Sequence, residues 1–209
     1  MIIRTLAFLL ALAATATASE FKRIPQTDGA DDIILMTGHI ERGDYYKFIT
    51  VADGVEDAIV VLRSGGGDAN EAMNIGRFIR LQGYETRVGG QCSSGCFLIW
   101  IAGKYRSLGA TARLGLHSAG GTVLTISPYA WPPLPQSRRN EKVNKEIGIY
   151  LKSMGAPQSV IDLWPLADPT ELAVITYSQA RDWGLIHERP PVTRLWQLMV
   201  TPPPSTFSE

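Results

Sequence analysis

The segment Ala58-Ile59-Val60-Val61-Leu62 is apolar at every position and runs through Arg63-Ser64 into Gly65-Gly66-Gly67 and Asp68. A strand that is apolar on both faces must be covered on both faces, which is the situation of a parallel sheet flanked by helices. Downstream, Asp68 and Glu71 form a start resembling a capping box, and Ala72, Met73, Ile75, Phe78 and Ile79 repeat at helical spacing until Gly83. A strand, a glycine turn and a helix in that order commit the chain to an α/β architecture, and three adjacent glycines leave bare backbone N–H groups at the turn.

The rest of the chain repeats the alternation. Ile33 to Met36 reads as a buried strand, broken by residues 38–44, and residues 44–52 are compatible with a helix. Thr86 to Val88 reads as a short strand ending at Gly89-Gly90. Gly95 to Ala102 reads as a helix buried all round and stopped by Gly103. Tyr105 to Leu108 and Leu114 to His117 read as short strands. Alternating buried strands and helices predict a mostly parallel sheet. Gly120 to Pro135, rich in Gly and Pro and containing Trp131, reads as a long loop able to act as a lid or binding loop. Gln136 to Met154 reads as a polar helix with Val143, Ile147, Tyr150 and Leu151 on one stripe. Pro157 opens a short helix to Leu163, a short strand falls within Thr170 to Thr176, and Ser178 to Trp183 form a last helix.

The N-terminus follows other rules. Arg4 precedes the apolar run from Leu6 to Ala14, and the small residues Ala16-Thr17-Ala18-Ser19 follow. This is the pattern of a secretory signal peptide over residues 1–18, cut after Ala18. The apolar run is short of the ~20 residues that span a bilayer comfortably, and no later segment reads as a membrane span. The expected location is therefore periplasmic or secreted. Residues 19–31 read as an irregular lead-in, 32–188 as the folded domain, and 189–209 as a proline-rich tail. With 20 basic and 20 acidic residues and no basic run, no nucleic-acid partner is expected.

Export changes how the cysteines read. Cys92 and Cys96, the only two, are close enough in sequence to pair across a helix start, and an oxidising compartment favours a disulfide. The alternative is two small buried thiols. Two sulfurs without a neighbouring His make a poor zinc set, so no metal is expected. The pair brackets Ser93 and Ser94. A glycine turn, a serine at a helix start and His117 at a strand end are the parts of an acyl-transfer site: oxyanion donors, nucleophile and base. Each has a plainer role available, as a turn, an N-cap and a satisfied strand-end histidine. His39 and His187 lack such a context and read as structural or exposed.

The order strand–Ser-Gly-Gly-Gly–helix, then Ser-Gly-Cys-Phe-Leu-Ile, then Ala-Arg-Leu-Gly-Leu-His, resembles the Clp protease proteolytic subunit and the wider Clp/crotonase superfamily. Gly38-His39-Ile40 and Tyr177 to Ile186 are similar to the same pattern, and Cys92 to Cys96 resembles the Cys-x-Ser-x-Cys box of an exported Clp-like group. The resemblance covers residues 33–188. It implies a spiral of ββα units, a serine peptidase activity on peptide or protein substrates, assembly into a homo-oligomer through the helix at 136–154, and no cofactor. It puts the nucleophile on Ser94, with Ser93 reached only by a one-residue shift. It puts the base on His117, and the oxyanion donors on Gly66 or Gly67 together with Gly95. Gly65 stands where the family has proline. The position of the family's aspartate falls on Leu172, which leaves Glu171, with Asp168 as alternate, as the candidate third residue. A catalytically silent Clp-like protein that binds peptide or drives assembly is the competing expectation. Redox work by the cysteines is disfavoured by the Cys-x-x-x-Cys spacing, and coenzyme A chemistry by export.

Overall fold

The structure is a computed structural model and describes residues 17–27, 29–120, 136–166 and 172–190. Its centre is a mostly parallel sheet. Strand β1 (Glu20–Ile24) runs antiparallel along β2 (Asp32–Thr37), which lies parallel to β3 (Ala58–Ser64), itself parallel to β4 (Glu85–Ser93). Strand β5 (Arg106–Leu108) pairs with the first part of β4 at Thr86–Val88, and β6 (Arg113–Leu116) pairs in parallel with its last part at Gln91–Ser93. Strand β7 (Ala173–Ile175) closes the row antiparallel to β6.

Helices fill the connections, as parallel strands require. They are α1 (Asp44–Val51), α2 (Ala69–Gln82), α3 (Gly95–Ile101), α4 (Gln136–Ser153), α5 (Gln158–Leu166) and α6 (Tyr177–Asp182). Between them and the sheet lies one apolar core containing Phe48, Tyr84, Phe97, Trp100 and Trp164, with Phe97 against both Trp100 and Trp164. Among the described residues no helix is long and apolar enough to cross a membrane.

Several boundaries differ from the sequence expectation. Residues 20–24, expected to be irregular, form β1, because the edge of β2 offers Phe21 a place against Phe48. The strand expected to end at Gly89-Gly90 runs on to Ser93. Between Leu62, opposite Val88, and Ser64, opposite Cys92, the register of β3 and β4 shifts. The glycines sit in that irregularity, where β4 changes partner from β5 to β6. At α2, Asp68 caps Asn70 and Glu71 N–H, but the Glu71 carboxylate accepts from Tyr45 N–H at 2.9 Å instead of returning to Asp68, so the box is half formed. Most of the expected signal peptide at 1–18, of the expected loop at 120–135 with Trp131, and of the expected tail at 189–209 lies outside the described residues.

Helix α3 is the most enclosed element, with every residue from Gly95 to Ile101 buried. Its last turn tightens: Ala102 N–H bonds Ile99 O and Gly103 N–H bonds Trp100 O, each at 3.2 Å. The Leu98 carbonyl therefore relies on the Tyr150 hydroxyl of α4, which donates to it at 2.7 Å. Gly76 on α2 makes this possible, because a Cβ there would collide with the Tyr150 hydroxyl. Burial pushes the Tyr150 phenol up, which favours the protonated form that donates here. Replacing Tyr150 with Phe should cost about 1–3 kcal/mol, the penalty for an unpaired buried carbonyl, read as a lower midpoint in urea unfolding.

A second buried polar node ties the N-terminal segment down. The Asp44 side chain is fully buried at the start of α1 and accepts from Ser19 Oγ, from Glu41 N–H at 2.7 Å and from Lys47 Nζ at 2.8 Å. Burial opposes its ionisation, but the bonds from Glu41, Lys47 and Ser19 outweigh it and hold the carboxyl below the usual range. A folded-state pKa below the unfolded one stabilises above the unfolded value, near ~3.9, and the gain is lost as pH falls through the folded value. Asp44→Asn should thus be less stable than the unaltered protein at pH 7. The gap in thermal midpoint should narrow on acidification below about pH 4.

Candidate active site

Three parallel strands end at one edge of the sheet. Strand β3 ends in Ser64 and the glycine turn, β4 ends in Ser93-Ser94, and β6 ends one residue before His117. Crevices outside the carboxyl ends of parallel strands are where open α/β sheets bind ligands.

Ser94 occupies the sharp turn between β4 and α3. It has φ 54° and ψ −123°, and no other described non-glycine residue has positive φ. For a residue with a Cβ this conformation costs roughly 1–3 kcal/mol and persists only where the surroundings enforce it. Here Ser94 N–H donates to Gly115 O of β6 at 2.8 Å, and Phe97 N–H takes the Ser94 carbonyl at 2.9 Å. The Cys92–Cys96 disulfide, with its Cα atoms 5.2 Å apart, bridges the last turn of strand to the first turn of helix. The Ser94 hydroxyl is not spent as a helix cap, which removes the plainer reading of that residue. Ser93 is the last residue of β4. It is buried, accepts from Gln91 Nε2 at 3.2 Å, and packs on Gly115, where a Cβ would lie 2.5 Å from the Ser93 hydroxyl. The structure thus separates the two serines that the sequence left adjacent.

The glycine turn lies directly on Ser94. A Cβ on Gly66, whose φ is +102°, would meet Ser93 O at 2.6 Å, Ser94 Cβ at 2.7 Å and Gly95 N at 2.9 Å. The Gly66 N–H is already engaged, donating to Ser64 Oγ at 3.0 Å, while Ser64 donates to Gly38 O at 2.5 Å. Gly66 therefore permits close approach but has no N–H to offer. Gly67 differs. Ile40 bonds its neighbours, taking its N–H to Gly66 O at 2.8 Å and receiving Asp68 N–H at 2.9 Å. In a parallel bridge the central residue turns its own N–H to the opposite side, and the side opposite Ile40 is that of α3. Gly67 N lies 3.4 Å from where a Gly95 Cβ would stand. Gly95 opens α3, so its N–H has no partner within the helix. Gly67 and Gly95 are thus the backbone amides of this turn left without a helix or strand partner, and Gly95 directly follows Ser94.

His117 is half-buried just past β6, and its Nδ1 lies 2.8 Å from the Ser118 carbonyl oxygen. Ser94 Oγ and His117 form no hydrogen bond in this structure, so the nucleophile–base contact expected from the sequence is not made here. Glu171 and Asp168 lie outside the described residues, and Leu172 between them and β7 is apolar and exposed. His39 is exposed, and His187 stacks on Tyr105 with ring centroids 5.4 Å apart, away from this edge. Among the described residues no group of three or more His, Cys, Asp or Glu side chains could hold a metal ion. Sequence reasoning missed Ser64, which latches the turn, and Asn144 of α4, whose amide reaches the backbone beyond His117. Neither sits in a pattern distinguishable from an ordinary strand end or a polar helix.

No protein-family model matches the chain, and neither does any curated protein sequence. Among solved structures, the chain is similar to a ClpP1 point mutant from Listeria monocytogenes, with a TM-score of 0.55. The identity is 15%, over 74% of this chain and 88% of that one. The mixed α/β architecture with its mostly parallel sheet is therefore a ClpP-like fold, as the resemblance in the sequence implied.

The glycines make different demands. A Cβ on Gly65 would meet nothing within 4 Å, and its φ is not positive. Gly65→Ala should be neutral or raise stability by about 0.4–1 kcal/mol through the unfolded chain. Gly66→Ala should lower it by more than ~1–3 kcal/mol, because strain adds to the clash with Ser93 and Gly95. Chemical denaturation of both variants measures the contrast.

Proposed function

We propose that this chain is an exported serine hydrolase, a peptidase, with Ser94 as nucleophile, His117 as general base and the Gly67 and Gly95 N–H groups as oxyanion donors. The observation that carries the reading is Ser94 itself. It is a serine held at a conformational cost with its hydroxyl unspent as a cap, at a turn it shares with the Gly67 and Gly95 amides. Strain of that kind has no structural use at a plain strand-to-helix turn, where glycine would serve without cost.

The chemistry follows from the groups. A carbonyl oxygen only accepts, so His117 Nδ1 must donate to Ser118 O, which leaves Nε2 with its lone pair free. The Ser94 Oγ–H proton passes to Nε2 as Oγ bonds the substrate carbonyl carbon. The carbonyl oxygen gains negative charge and accepts from Gly67 and Gly95 N–H. The imidazolium returns the proton to the leaving amine, and water, activated by His117, then hydrolyses the acyl-enzyme. The Ser94–His117 contact closes with substrate in place, as such contacts do in unliganded sites. The disulfide suits an oxidising compartment, in line with the predicted signal peptide and a periplasmic or secreted location. Peptide or protein is the expected substrate and a second copy of this chain the expected partner. Ile149 of α4, 63% exposed, is a large apolar side chain for such an assembly to cover.

The open Ser94–His117 contact, with a backbone carbonyl at His117 Nδ1, favours a second reading, a silent Clp-like protein that binds peptide or drives assembly. Labelling with a fluorophosphonate decides between them. Ser94 should be labelled covalently in the unaltered protein, and Ser94→Ala should abolish labelling while Ser93→Ala retains it. His117→Ala should slow it by roughly 10²–10⁴, the contribution of a positioned base. No labelling of the folded protein would leave the silent reading standing.

A further inference from the structure

The Nδ1 partner of His117 is one half of a peptide group whose other half is also held. Ser118 O lies 2.8 Å from His117 Nδ1, and Ala119 N–H, in the same peptide plane, donates to Asn144 Oδ1 at 2.7 Å. The Asn144 amide turns back on the same residue, with Nδ2 3.5 Å from Ala119 O. Ser118 is buried at 7% exposure, and Asn144 is half-buried. We propose that Asn144 is a positioning residue for His117, acting through the Ser118–Ala119 peptide to hold Nδ1 protonated and Nε2 free.

Physically, the peptide behaves as a relay. An acceptor on its N–H polarises its C=O, and hydrogen bonds in a chain strengthen one another. Asn144 Oδ1 thus makes Ser118 O a better acceptor and fixes the plane in which it points. In water an imidazole is free to carry its proton on either nitrogen, and the partner of one nitrogen decides which. A carboxylate performs this in a Ser-His-Asp triad. Here the group in contact is neutral, and its orientation is enforced from α4.

The anchor of that helix makes the relay rigid. Tyr150, six positions after Asn144 on α4, donates to Leu98 O of α3 at 2.7 Å, and Ile147 and Leu151 are buried beside it. Met154 O, just past α4, accepts from Arg80 at 2.9 Å. Helix α3 begins directly after Ser94. The nucleophile and the residue that aligns the base are thus referenced to the same buried helix, and a displacement of α4 would move His117 relative to Ser94.

This inference rests on His117 as the base, but its test does not require activity. Nitrogen NMR of the His117 ring in the neutral state should show Nδ1 carrying the proton and Nε2 bare. Asn144→Ala should shift the population toward the Nε2–H tautomer and slow fluorophosphonate labelling of Ser94 by about 10-fold or more, up to but not beyond the ~10²–10⁴ a positioned base contributes. Asn144→Asp retains Oδ1 and should preserve the tautomer, which a general loss of packing would not. The unaltered protein is a test in itself: a proton found on Nε2 overturns the proposal whether or not any variant folds. So does an Asn144→Ala protein with the tautomer unchanged, or a tautomer lost instead in Glu171→Gln or Asp168→Asn. If the tautomer responds as described but Ser94 is never labelled, the hydrolase reading fails and the relay stands. If Ser94 is labelled and the tautomer ignores Asn144, the reverse holds.

Discussion

A helix buried on every side must dispose of its carbonyls, and the rest of this structure is arranged around doing so for α3. Its four final acceptors cannot reach water, and the tightened last turn supplies backbone N–H groups only to Ile99 O and Trp100 O. Side chains from three directions meet Leu98 O, Trp100 O and Ile101 O. Tyr150 of α4 takes Leu98 O, Thr86 of β4 takes Trp100 O at 2.7 Å, and Arg80 of α2 takes Ile101 O at 3.2 Å. Arg106 of β5 follows at Gly103 O, at 3.2 Å, and also holds Leu185 O. The arginines sit beside carbonyls rather than carboxylates, and burial lowers both, Arg106 to about 10. At neutral pH both remain charged, and a cation at the C-terminal end of a helix is the favourable sign. Each bond also ties another element to α3, so satisfying one helix end orients α2, α4, β4 and β5 together.

What the anchoring of α3 secures is the geometry at its other end. Ser94 holds a conformation that a residue with a Cβ resists, and no single contact accounts for it. Gly115 O takes its N–H, Phe97 takes its carbonyl, Gly66 leaves it space, and the disulfide joins the residues two positions to either side. A disulfide closing so short a loop removes little entropy from the unfolded chain. Its effect is local, making strand end and helix start move as one. The cost of the turn is carried by a core that is far larger than the turn, which is the general condition for strain at a functional position.

How much of this was legible depended on whether the signal was local. The strands β2 and β3 and helices α2, α3 and α4 follow from apolar periodicity, and their bounds fall within two residues of expectation. The continuation of β4 through Gly89-Gly90 was not legible, because glycines that end a strand and glycines in a bulge read alike until the partner strands are known. β1 was hidden for a similar reason: Glu20 to Ile24 is mostly polar and exposed, and only pairing with β2 makes it a strand. In the site, Gly67 and Gly66 could be separated only by the register of Ile40. Motif order pointed to Ser94 rather than Ser93. The strain that marks Ser94 appears only in the dihedrals.

The third member of the site shows where motif reasoning reaches its limit. A motif places a carboxylate by position, and at that position this chain has Leu172, whose side chain can accept nothing, while Glu171 and Asp168 lie outside the described residues. The chemical requirement is for an acceptor on Nδ1, and any oxygen held in the right plane meets it. A peptide carbonyl is always available, but it is directional only if the peptide cannot rotate, so the requirement passes to whatever fixes that peptide. In the arrangement proposed for this chain it is the Asn144 amide of α4, which accepts from Ala119 N–H across the fold. A neutral acceptor fixes the imidazole tautomer by accepting from Nδ1–H, but it gives less Coulombic support than a carboxylate to the imidazolium formed when the base takes its proton. A site built this way depends more heavily on its oxyanion donors. That is consistent with how tightly Gly66 packs on Ser94 and how Ile40 and Ser64 together fix the glycine turn.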